Sequence, residues 1–424
     1  MKEIELTSLD IKLYTEKLDN GLEVYMLPYK DKKKYFISYA TRYGSDVLKF
    51  DVDGEEYAPP LGVAHYLEHK LFEEESGIDP FTFFSESGTD GNASTSYDYT
   101  QYICYGTKKF DENLRYLVQF VNRPYFTDEN VLKEKGIISE EIKMYNDIPD
   151  YKLEIKLREM IYNSLSRKYD IAGTIDEINK ITKEDLYKCY NSFYVPNNMF
   201  ILIVGNFDCK SAINIIKEEL DSKISVNLPK IHNVNENDKV NKKELIIKED
   251  IEVPKIGIGL KVPSKNLKLN DVELDLYLNM ITTILFGSSS EFRERVRVEE
   301  LLNDIYSEWE STDNFKTFYL YATSKYPDKL VEEINYEFDN LSVTTTAFNR
   351  IKKVWIANEV KTVDNVYRME NNVYDDIISY GKPIANRVEL IRNMDIKVLR
   401  NLIKKIKFDN RCILKMYSKD KKKL

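Results

Sequence analysis

Apolar and polar residues alternate along this chain with two different periods, and these periods predict strands and helices in succession. Segments with strand-like alternation or short apolar runs are residues 22–27, 35–42, 93–105 and 199–204. Segments with apolar residues three or four positions apart are residues 62–73, 111–121, 128–145, 150–165 and 182–193. Because both kinds of element are interspersed, the pattern predicts an α+β fold.

The second half of the chain is similar to the first half at a constant offset. An offset of 213 residues aligns Leu186 with Leu399, and it also lays the apolar helix at 276–286 over residues 63–73. Two separate helices that agree on one offset indicate an internal duplication, although amphipathic helices also resemble one another by chance. We therefore expect two duplicated α+β domains, each a mainly antiparallel sheet packed with helices.

A polar segment separates the two predicted domains. Residues 223–243 are rich in Asn and Lys and contain Pro229, which is typical of a linker. The predicted domains are therefore residues 1–222 and residues 244–424. The alternative is that the polar segment is a long surface loop within a single domain.

The charge balance narrows the classes of function. The 424 residues include 62 Lys and Arg against 71 Asp and Glu, which gives a net charge of −9. This balance argues against a protein dedicated to binding nucleic acid and leaves room for a cationic peptide partner. The basic tail formed by Lys421, Lys422 and Lys423 fits a solvated chain end better than a nucleic-acid patch.

Cysteine usage and the distribution of apolar residues bear on the compartment. The four cysteines have no CxxC spacing, which is typical of a reducing environment rather than of a disulfide framework. Residues 1–14 lack the apolar core of a signal peptide, and no run of about 18 apolar residues predicts a membrane span. We expect a cytoplasmic protein that does not interact with membranes.

Histidine is the rarest chemically informative residue, and two of the three histidines lie four positions apart. His65, Glu68 and His69 form an H-x-x-E-H pattern inside the predicted helix 62–73. Residues four apart share a helix face, so both imidazoles can bind one zinc ion while Glu68 lies at the edge of that face. The alternative is an ordinary helix with a pair of histidines. His232, in the polar segment, is expected to be a solvated histidine.

A catalytic zinc ion needs a third protein ligand, and the predicted helix 128–145 offers candidates. Glu134 and Glu141 are seven positions apart and therefore lie on one face, whereas Glu140 is rotated by about 100° from Glu141. We expect Glu140 to face elsewhere. The alternative for the pair is a solvated acidic surface.

These motifs together resemble the pitrilysin–insulinase family of zinc peptidases, the inverzincins. The H-x-x-E-H pattern is followed about 70 residues later by E-x6-E. Residues 91–100 are similar to the N-A-x-T strand of that family, and residues 144–149 are similar to the segment after its metal-binding glutamate. The resemblance covers residues 15–210 well and the second half only in outline.

The resemblance implies a role for each matched position. It implies that zinc is bound by His65, His69 and Glu141. Glu68 would be the general base that activates water polarised by zinc, and Glu134 would orient the site. An edge strand that pairs with the substrate backbone would contain Asn92 and Ala93; the alternative for Asn92 is a turn residue after Gly91.

The same family uses an Arg and a Tyr from the second half to stabilise the reaction intermediate. Arg297 is the candidate for the Arg, but the expected Tyr seven residues later is Asp304, and the nearest tyrosine is Tyr306. An ordinary charged helix surface is the alternative for Arg297. This departure argues against a complete site within one chain and motivates the hypothesis that a partner supplies the Arg/Tyr pair.

The resemblance implies a zinc metalloendopeptidase that forms one half of a clamshell and cleaves peptides in an enclosed chamber. Its length is similar to that of mitochondrial processing peptidase subunits, so we expect a dimer, and a paralogous subunit that supplies the Arg/Tyr pair is one candidate for the partner. One alternative is a narrow peptide-maturation protease that trims a leader. The other is a non-catalytic scaffold subunit with the same fold.

Overall fold

A computed structural model gives the structure of the chain and describes residues 1–6 and 11–419. The basic tail at residues 421–423 lies outside the described part. The strands are β1 (Lys2–Leu6), β2 (Ile11–Lys17), β3 (Glu23–Pro28), β4 (Tyr35–Thr41), β5 (Phe50–Val52), β6 (Glu55–Tyr57), β7 (Asp90–Thr95), β8 (Thr100–Gly106), β9 (Met199–Gly205), β10 (Glu244–Glu249), β11 (Lys255–Pro263), β12 (Asp304–Ser311), β13 (Phe315–Thr323) and β14 (Arg411–Ser418).

Helices separate groups of these strands along the described chain, as in other α+β folds. The helices are α1 (Val63–Leu71), α2 (Pro80–Glu86), α3 (Phe110–Val121), α4 (Asp128–Asn146), α5 (Pro149–Ile161), α6 (Ile175–Ile178), α7 (Lys183–Phe193), α8 (Cys209–Glu219), α9 (Asp271–Phe286), α10 (Glu291–Val298), α11 (Pro327–Asp339), α12 (Thr345–Thr362), α13 (Val366–Tyr380), α14 (Arg387–Asn393) and α15 (Ile396–Ile403). Within the described residues, no helix is both long enough and apolar enough to cross a membrane.

Contacts between Cα atoms group the chain into two compact units. The first unit comprises Met1–Lys143, Asp170–Asn233 and Val360–Asn386. The second unit comprises Met144–Tyr169, Val234–Glu359 and the described residues from Arg387 onward. Each unit has its own sheet and its own hydrophobic core.

The sheet of the first unit has seven strands in the order β1-β2-β3-β9-β4-β8-β7. Strands β3 and β9 are parallel, and the other neighbours are antiparallel. Every residue of the central strands β4 and β9 is buried, because helices cover the sheet and leave only its edges open. The strand β7 forms one of these edges.

The sheet of the second unit has five strands in the order β10-β14-β11-β13-β12. Its parallel pair is β10 and β14, and its other neighbours are antiparallel. The order and directions match β3-β9-β4-β8-β7 of the first unit strand by strand. The predicted α+β duplication, with a mainly antiparallel sheet in each copy, is confirmed.

One predicted strand is wrong, because residues 93–105 do not form a single strand. They form the end of β7, a tight turn and then β8, with the amide of Ser96 donating to the carbonyl of Tyr99 over 2.8 Å. Alternation with period two continues through both arms of a hairpin, so the pattern alone did not show the turn.

Two helices belong to a different unit from the one that a division at the linker would assign them to. Helix α5 lies before the predicted linker but packs against β11 and β14 of the second unit, while α13 packs against β4 and β9 of the first. Glycine allows the close approach of α5: a Cβ at Gly259 would lie 2.4 Å from Cδ1 of Ile161. The grouping in space therefore crosses the predicted boundaries at 222 and 244 in both directions. The boundaries along the sequence stay predictions.

The predicted linker has fixed contacts within both units. In the second unit, Glu236 accepts hydrogen bonds from the backbone amides of Asn163, Ser164 and Leu165 and pairs with Lys261. Burial raises the pKa of Glu236, but these donors outweigh it and lower the pKa to about 2. In the first unit, Nε2 of His232 lies 2.6 Å from Oδ1 of Asp51, so His232 is not simply solvated.

Candidate metal centre

Helix α1 presents the two histidines on the side opposite its core-facing residues. Val63, Leu67 and Leu71 are buried in the first unit, as the predicted spacing requires. Gly62 precedes the helix with φ of 88°, and a Cβ there would lie 2.3 Å from the carbonyl oxygen of Ala172. Only glycine fits this entry, which fixes where α1 starts and therefore where its histidines lie.

The histidines face a carboxylate from a second helix. Nε2 of His65 is 3.8 Å from Oε1 of Glu141, and Nε2 of His69 is 3.3 Å from Oε2 of the same residue. One ligand atom from each of the three residues lies within 4.8 Å of the others. The structure therefore brings together the three predicted metal ligands. Among the described residues, this is the one group of three or more His, Cys, Asp or Glu side chains close enough to hold a metal ion.

The prediction that separated Glu141 from its neighbour on α4 agrees with the structure. Glu140 is exposed and pairs with Lys143, with 2.7 Å between Oε1 and Nζ. The inward positions of α4 include Glu134 and Ile138, on the face that also contains Glu141.

The chemistry of these donors fits zinc. Two imidazoles and one carboxylate are a ligand set of catalytic zinc sites, in which a fourth position stays open to water or substrate. The atom Oε2 of Glu141 is buried and accepts no hydrogen bond, although Nε2 of His69 is near. A buried carboxylate oxygen without a donor is costly, and a cation between the three residues would satisfy it.

The surroundings of the two histidines shift their pKa values in opposite directions, which is consistent with one positive charge in the cluster. Burial lowers the pKa of His65, so its imidazole is neutral and can donate a lone pair. Burial also opposes charge on His69, but the hydrogen bond to Glu134 and the nearby carboxylates of Glu141 and Glu68 outweigh it and raise the pKa of His69. A divalent cation that displaces the proton of His69 would meet the same demand for positive charge.

Glu68 lies beside the cluster and is held by the edge strand. Its side chain is buried, and its Oε2 accepts a hydrogen bond of 2.8 Å from the hydroxyl of Thr95 on β7. Burial raises the pKa of Glu68, which makes its carboxylate a stronger base. The role of Thr95 was missed from the sequence, although it belongs to the segment 91–100 that carried the resemblance.

Glu134 contacts the ring of His69 and is not one of the three residues whose ligand atoms lie together. Its Oε1 is 3.0 Å from Nδ1 of His69, the ring nitrogen that faces away from Glu141. A carboxylate in this position fixes the ring orientation and the tautomer of a metal-binding histidine. This is the contact that the predicted orienting role requires, and the role itself stays a prediction.

Asn92 and Ala93 lie on β7, at the edge of the first sheet. Opposite them on β8 are Ile103 and Tyr102, and the other side of β7 has no strand neighbour among the described residues. Asn92 is exposed and Ala93 is half-buried. The amide of Ala93 donates to Oδ1 of Asn92 over 2.9 Å, so a strand added along this edge would have to replace that hydrogen bond.

The two candidates from the second half have local contacts. Arg297 on α10 is exposed and pairs with Glu294, while the hydroxyl of Tyr306 on β12 donates to Glu308 over 2.7 Å. Both residues are in the second unit. Their predicted catalytic roles stay predictions.

Comparison with known proteins agrees with this fold and identifies its family. The family model for insulinase, peptidase family M16, matches residues 54–175, and the model for the peptidase M16 inactive domain matches residues 180–354. YmfH of Bacillus subtilis (strain 168), named an "uncharacterized zinc protease", is 39% identical over 343 residues, which are 79% of this chain and 79% of YmfH. A crystal structure of an M16-like peptidase from Alicyclobacillus acidocaldarius has a TM-score of 0.90 at 28% identity, over 97% of this chain and 99% of that chain.

The duplicated fold and the histidine–carboxylate cluster define a class of metal-dependent peptidases and their relatives. The chain belongs to the insulinase family, peptidase family M16. The family also includes proteins named as inactive: YmfF of Bacillus subtilis (strain 168), a "probable inactive metalloprotease", is 23% identical over 335 residues, 74% of this chain and 75% of YmfF. Membership therefore supports a protease fold and leaves turnover to be argued from the residues of this chain.

Proposed function

We propose that the chain is a zinc-dependent endopeptidase whose metal ligands are His65, His69 and Glu141. The observation that carries the proposal is the placement of these three donors within 4.8 Å, with Glu68 beside them. A member that had lost activity would be expected to lose ligands or base, and this chain has all four residues. The likeness to YmfH, which is named a zinc protease, supports the same activity.

The side chains of the site have separate tasks in peptide hydrolysis. Bound zinc supplies Lewis-acid polarisation of the scissile carbonyl. Glu68 takes a proton from the attacking water and delivers it to the leaving amine, a task that its raised pKa favours. Thr95 holds the carboxylate of Glu68 by its hydroxyl, and Glu134 holds the ring of His69.

The open edge of β7 supports a peptide substrate bound in extended form. A strand added along Asn92 and Ala93 would gain main-chain hydrogen bonds that depend little on sequence. Thr95 lies on the same strand and contacts Glu68, so a peptide on this edge would run next to the base.

A paralogous partner subunit is part of the proposal. Asp304 stands where the family resemblance implies a tyrosine, so the Arg/Tyr pair would come from another chain in a dimer that encloses the reaction chamber. Bacillus subtilis (strain 168) contains both YmfH and the YmfF protein named as inactive, which supports pairing of an active with an inactive relative. A cytoplasmic location is proposed because Cys104, Cys189, Cys209 and Cys412 are free thiols.

The test is cleavage of a quenched peptide library by the zinc-loaded chain, with Glu68→Gln as the matched variant. The variant is expected to retain zinc and to lose hydrolysis, because the amide cannot accept the proton. Equal cleavage by both proteins would contradict the role of Glu68. Absence of cleavage by the zinc-loaded wild type, alone and with its paralogue, would favour the scaffold alternative.

A further inference from the structure

A fully buried lysine lies next to the metal centre. Lys70 follows His69 on α1, and its side chain has 0% exposure. Its Nζ contacts the carboxylate of Glu73 and lies 3.9 Å from Oε2 of Glu134. A buried ammonium group needs compensating charge, and these two carboxylates provide it.

The contacts of Lys70 continue to a metal ligand. The second oxygen of Glu134, Oε1, is 3.0 Å from Nδ1 of His69. The carboxylate of Glu134 is therefore held on one side by an ammonium group and on the other side by the imidazole. Because both oxygens have a partner, rotation of the carboxylate would break a contact with either Lys70 or His69.

The fold itself does not require a buried cation at this helix position. The offset of 213 residues places Thr283 of α9 opposite Lys70. Thr283 is half-buried and donates its hydroxyl to the carbonyl oxygen of Asn279 in its own helix over 2.8 Å. The second copy thus keeps the helix without histidines and without the lysine, which ties Lys70 to the site rather than to the scaffold.

We propose that Lys70 is a positioning residue for the metal centre, which holds Glu134 so that His69 directs Nε2 toward the bound metal ion. The inference rests on the proposed zinc function. It assigns a role to Lys70 that acts through Glu134 and His69, without contact between Lys70 and substrate or metal.

A positioning role and a purely electrostatic role of Lys70 predict opposite changes in zinc affinity when its ammonium group is removed. Removal of a positive charge close to a cation site would by itself strengthen zinc binding. Loss of the contact that orients Glu134 would weaken zinc binding, by about 10-fold if it behaves like other outer partners of metal ligands. The direction of the change in zinc affinity therefore separates the two roles.

The experiment measures zinc affinity of the full chain by competition with a chromophoric chelator. Lys70→Met replaces the ammonium group by an apolar side chain of similar length and is expected to bind zinc about 10-fold more weakly. The matched control is Glu73→Gln, which removes the other partner of Lys70 and leaves Glu134 untouched, so its zinc affinity should stay close to that of the wild type. The absorption spectrum of the cobalt-substituted protein should change in Lys70→Met and not in Glu73→Gln.

A second background tests whether Lys70 acts through Glu134. In Glu134→Gln, the further change Lys70→Met should have little additional effect on zinc affinity, because the contact it supports is already lost. If zinc-free Lys70→Met does not fold, Lys70→Gln in the same two backgrounds replaces it. Unchanged or tighter zinc binding by the folded Lys70 variant would overturn the inference, whereas a wild type that binds no zinc would overturn the proposed function instead.

Discussion

The two copies of the fold differ most where helix and edge strand meet. In the first unit, Thr95 on the edge strand β7 donates its hydroxyl to Glu68 on α1. In the second unit, Trp309 on the edge strand β12 donates its indole N–H to Thr282 on α9 over 2.7 Å. By the offset of the repeat, Thr282 stands opposite His69. Both copies thus link strand to helix by a hydrogen bond, but only the first does so through an ionisable group.

This comparison shows that the scaffold does not depend on the charged cluster. The second unit has Leu278 and Ile281 at the positions of His65 and Glu68, and both are buried in its core. Burying ionisable groups is costly unless they are paired, so an apolar helix is the cheaper way to complete this fold. The packing does not require the two histidines and several glutamates of the first unit, which is the reason to propose that they serve a site.

The largest effect is expected from removal of a metal ligand, which tests the difference between the units directly. Glu141→Gln should weaken zinc binding by more than about 100-fold, since even outer partners of metal ligands contribute up to that factor. Glu140→Gln, on the exposed face of α4, should bind zinc like the wild type. Zinc content after dialysis measures both. Loss of zinc in the Glu140 variant alone would contradict the geometry of the site.

The second prediction concerns α5, which precedes the linker in sequence but packs in the second unit. In the second unit, Arg158 of α5 is buried and lies 3.0 Å from the carboxylate of Glu310. Arg167 lies 2.8 Å from the same carboxylate. Burial opposes ionisation of Glu310, but the two arginines outweigh it and lower its pKa. Glu310→Gln should reduce the free energy of unfolding by about 3 kcal/mol, because two buried cations lose their partner. Urea unfolding at pH 7 measures it, and an unchanged midpoint would argue against this pair.

A third prediction concerns α13 of the first unit, where replacing a buried carboxyl group should raise the free energy of unfolding rather than lower it. Glu370 is buried, accepts a hydrogen bond from Ser38 and lies near Gln101 and Asp375; burial raises its pKa to about 8. Its folded pKa exceeds the ordinary value, so stability from this group falls as the pH rises from about 4.5 to 8. Glu370→Gln should therefore stabilise the protein by on the order of 2 kcal/mol at pH 8 and by little at pH 5.

Urea unfolding of the wild type and Glu370→Gln at both pH values provides the measurement. Ser38→Ala is the matched control, since it removes the hydrogen bond and leaves the carboxyl. A stabilisation of Glu370→Gln that is the same at pH 5 and pH 8 would show that ionisation of Glu370 is not its cause.

The smallest effect is expected at the link between edge strand and base. Thr95→Val removes the hydroxyl at constant shape and should lower kcat by about 10-fold, or ~1.4 kcal/mol, with little change in zinc content. Thr95→Ser restores the hydroxyl and should recover most of the rate. Steady-state kinetics on a peptide substrate separates kcat from KM. Equal loss in both variants would assign the effect to packing of the methyl group.

The sequence predicted the site better than the arrangement of the helices. Helix geometry places His65 and His69 on one face and turns Glu140 away from Glu141, whereas the choice of Glu141 as a metal ligand also needed the family resemblance. The hairpin within residues 93–105 was missed because alternation does not stop at a tight turn.

Contacts between distant segments were the other part that the pattern did not show. The packing of α5 on β11 depends on the small size of Gly257 and Gly259, which an amphipathic pattern does not reveal. Lys70 reads as a surface residue in the sequence because lysine is rarely buried, and its burial follows only from the positions of Glu73 and Glu134. Glu236 similarly looks like part of a solvated linker until its backbone donors are known.

Anomalous diffraction at the zinc absorption edge, from crystals of the zinc-loaded full chain, tests the central claim most directly. The account predicts a peak in the first unit at about 2.0–2.2 Å from Nε2 of His65, Nε2 of His69 and a carboxylate oxygen of Glu141. It predicts no peak beside Leu278 and Thr282 in the second unit. A zinc ion bound elsewhere, or none at the three ligands in a crystal that contains zinc, would contradict the account.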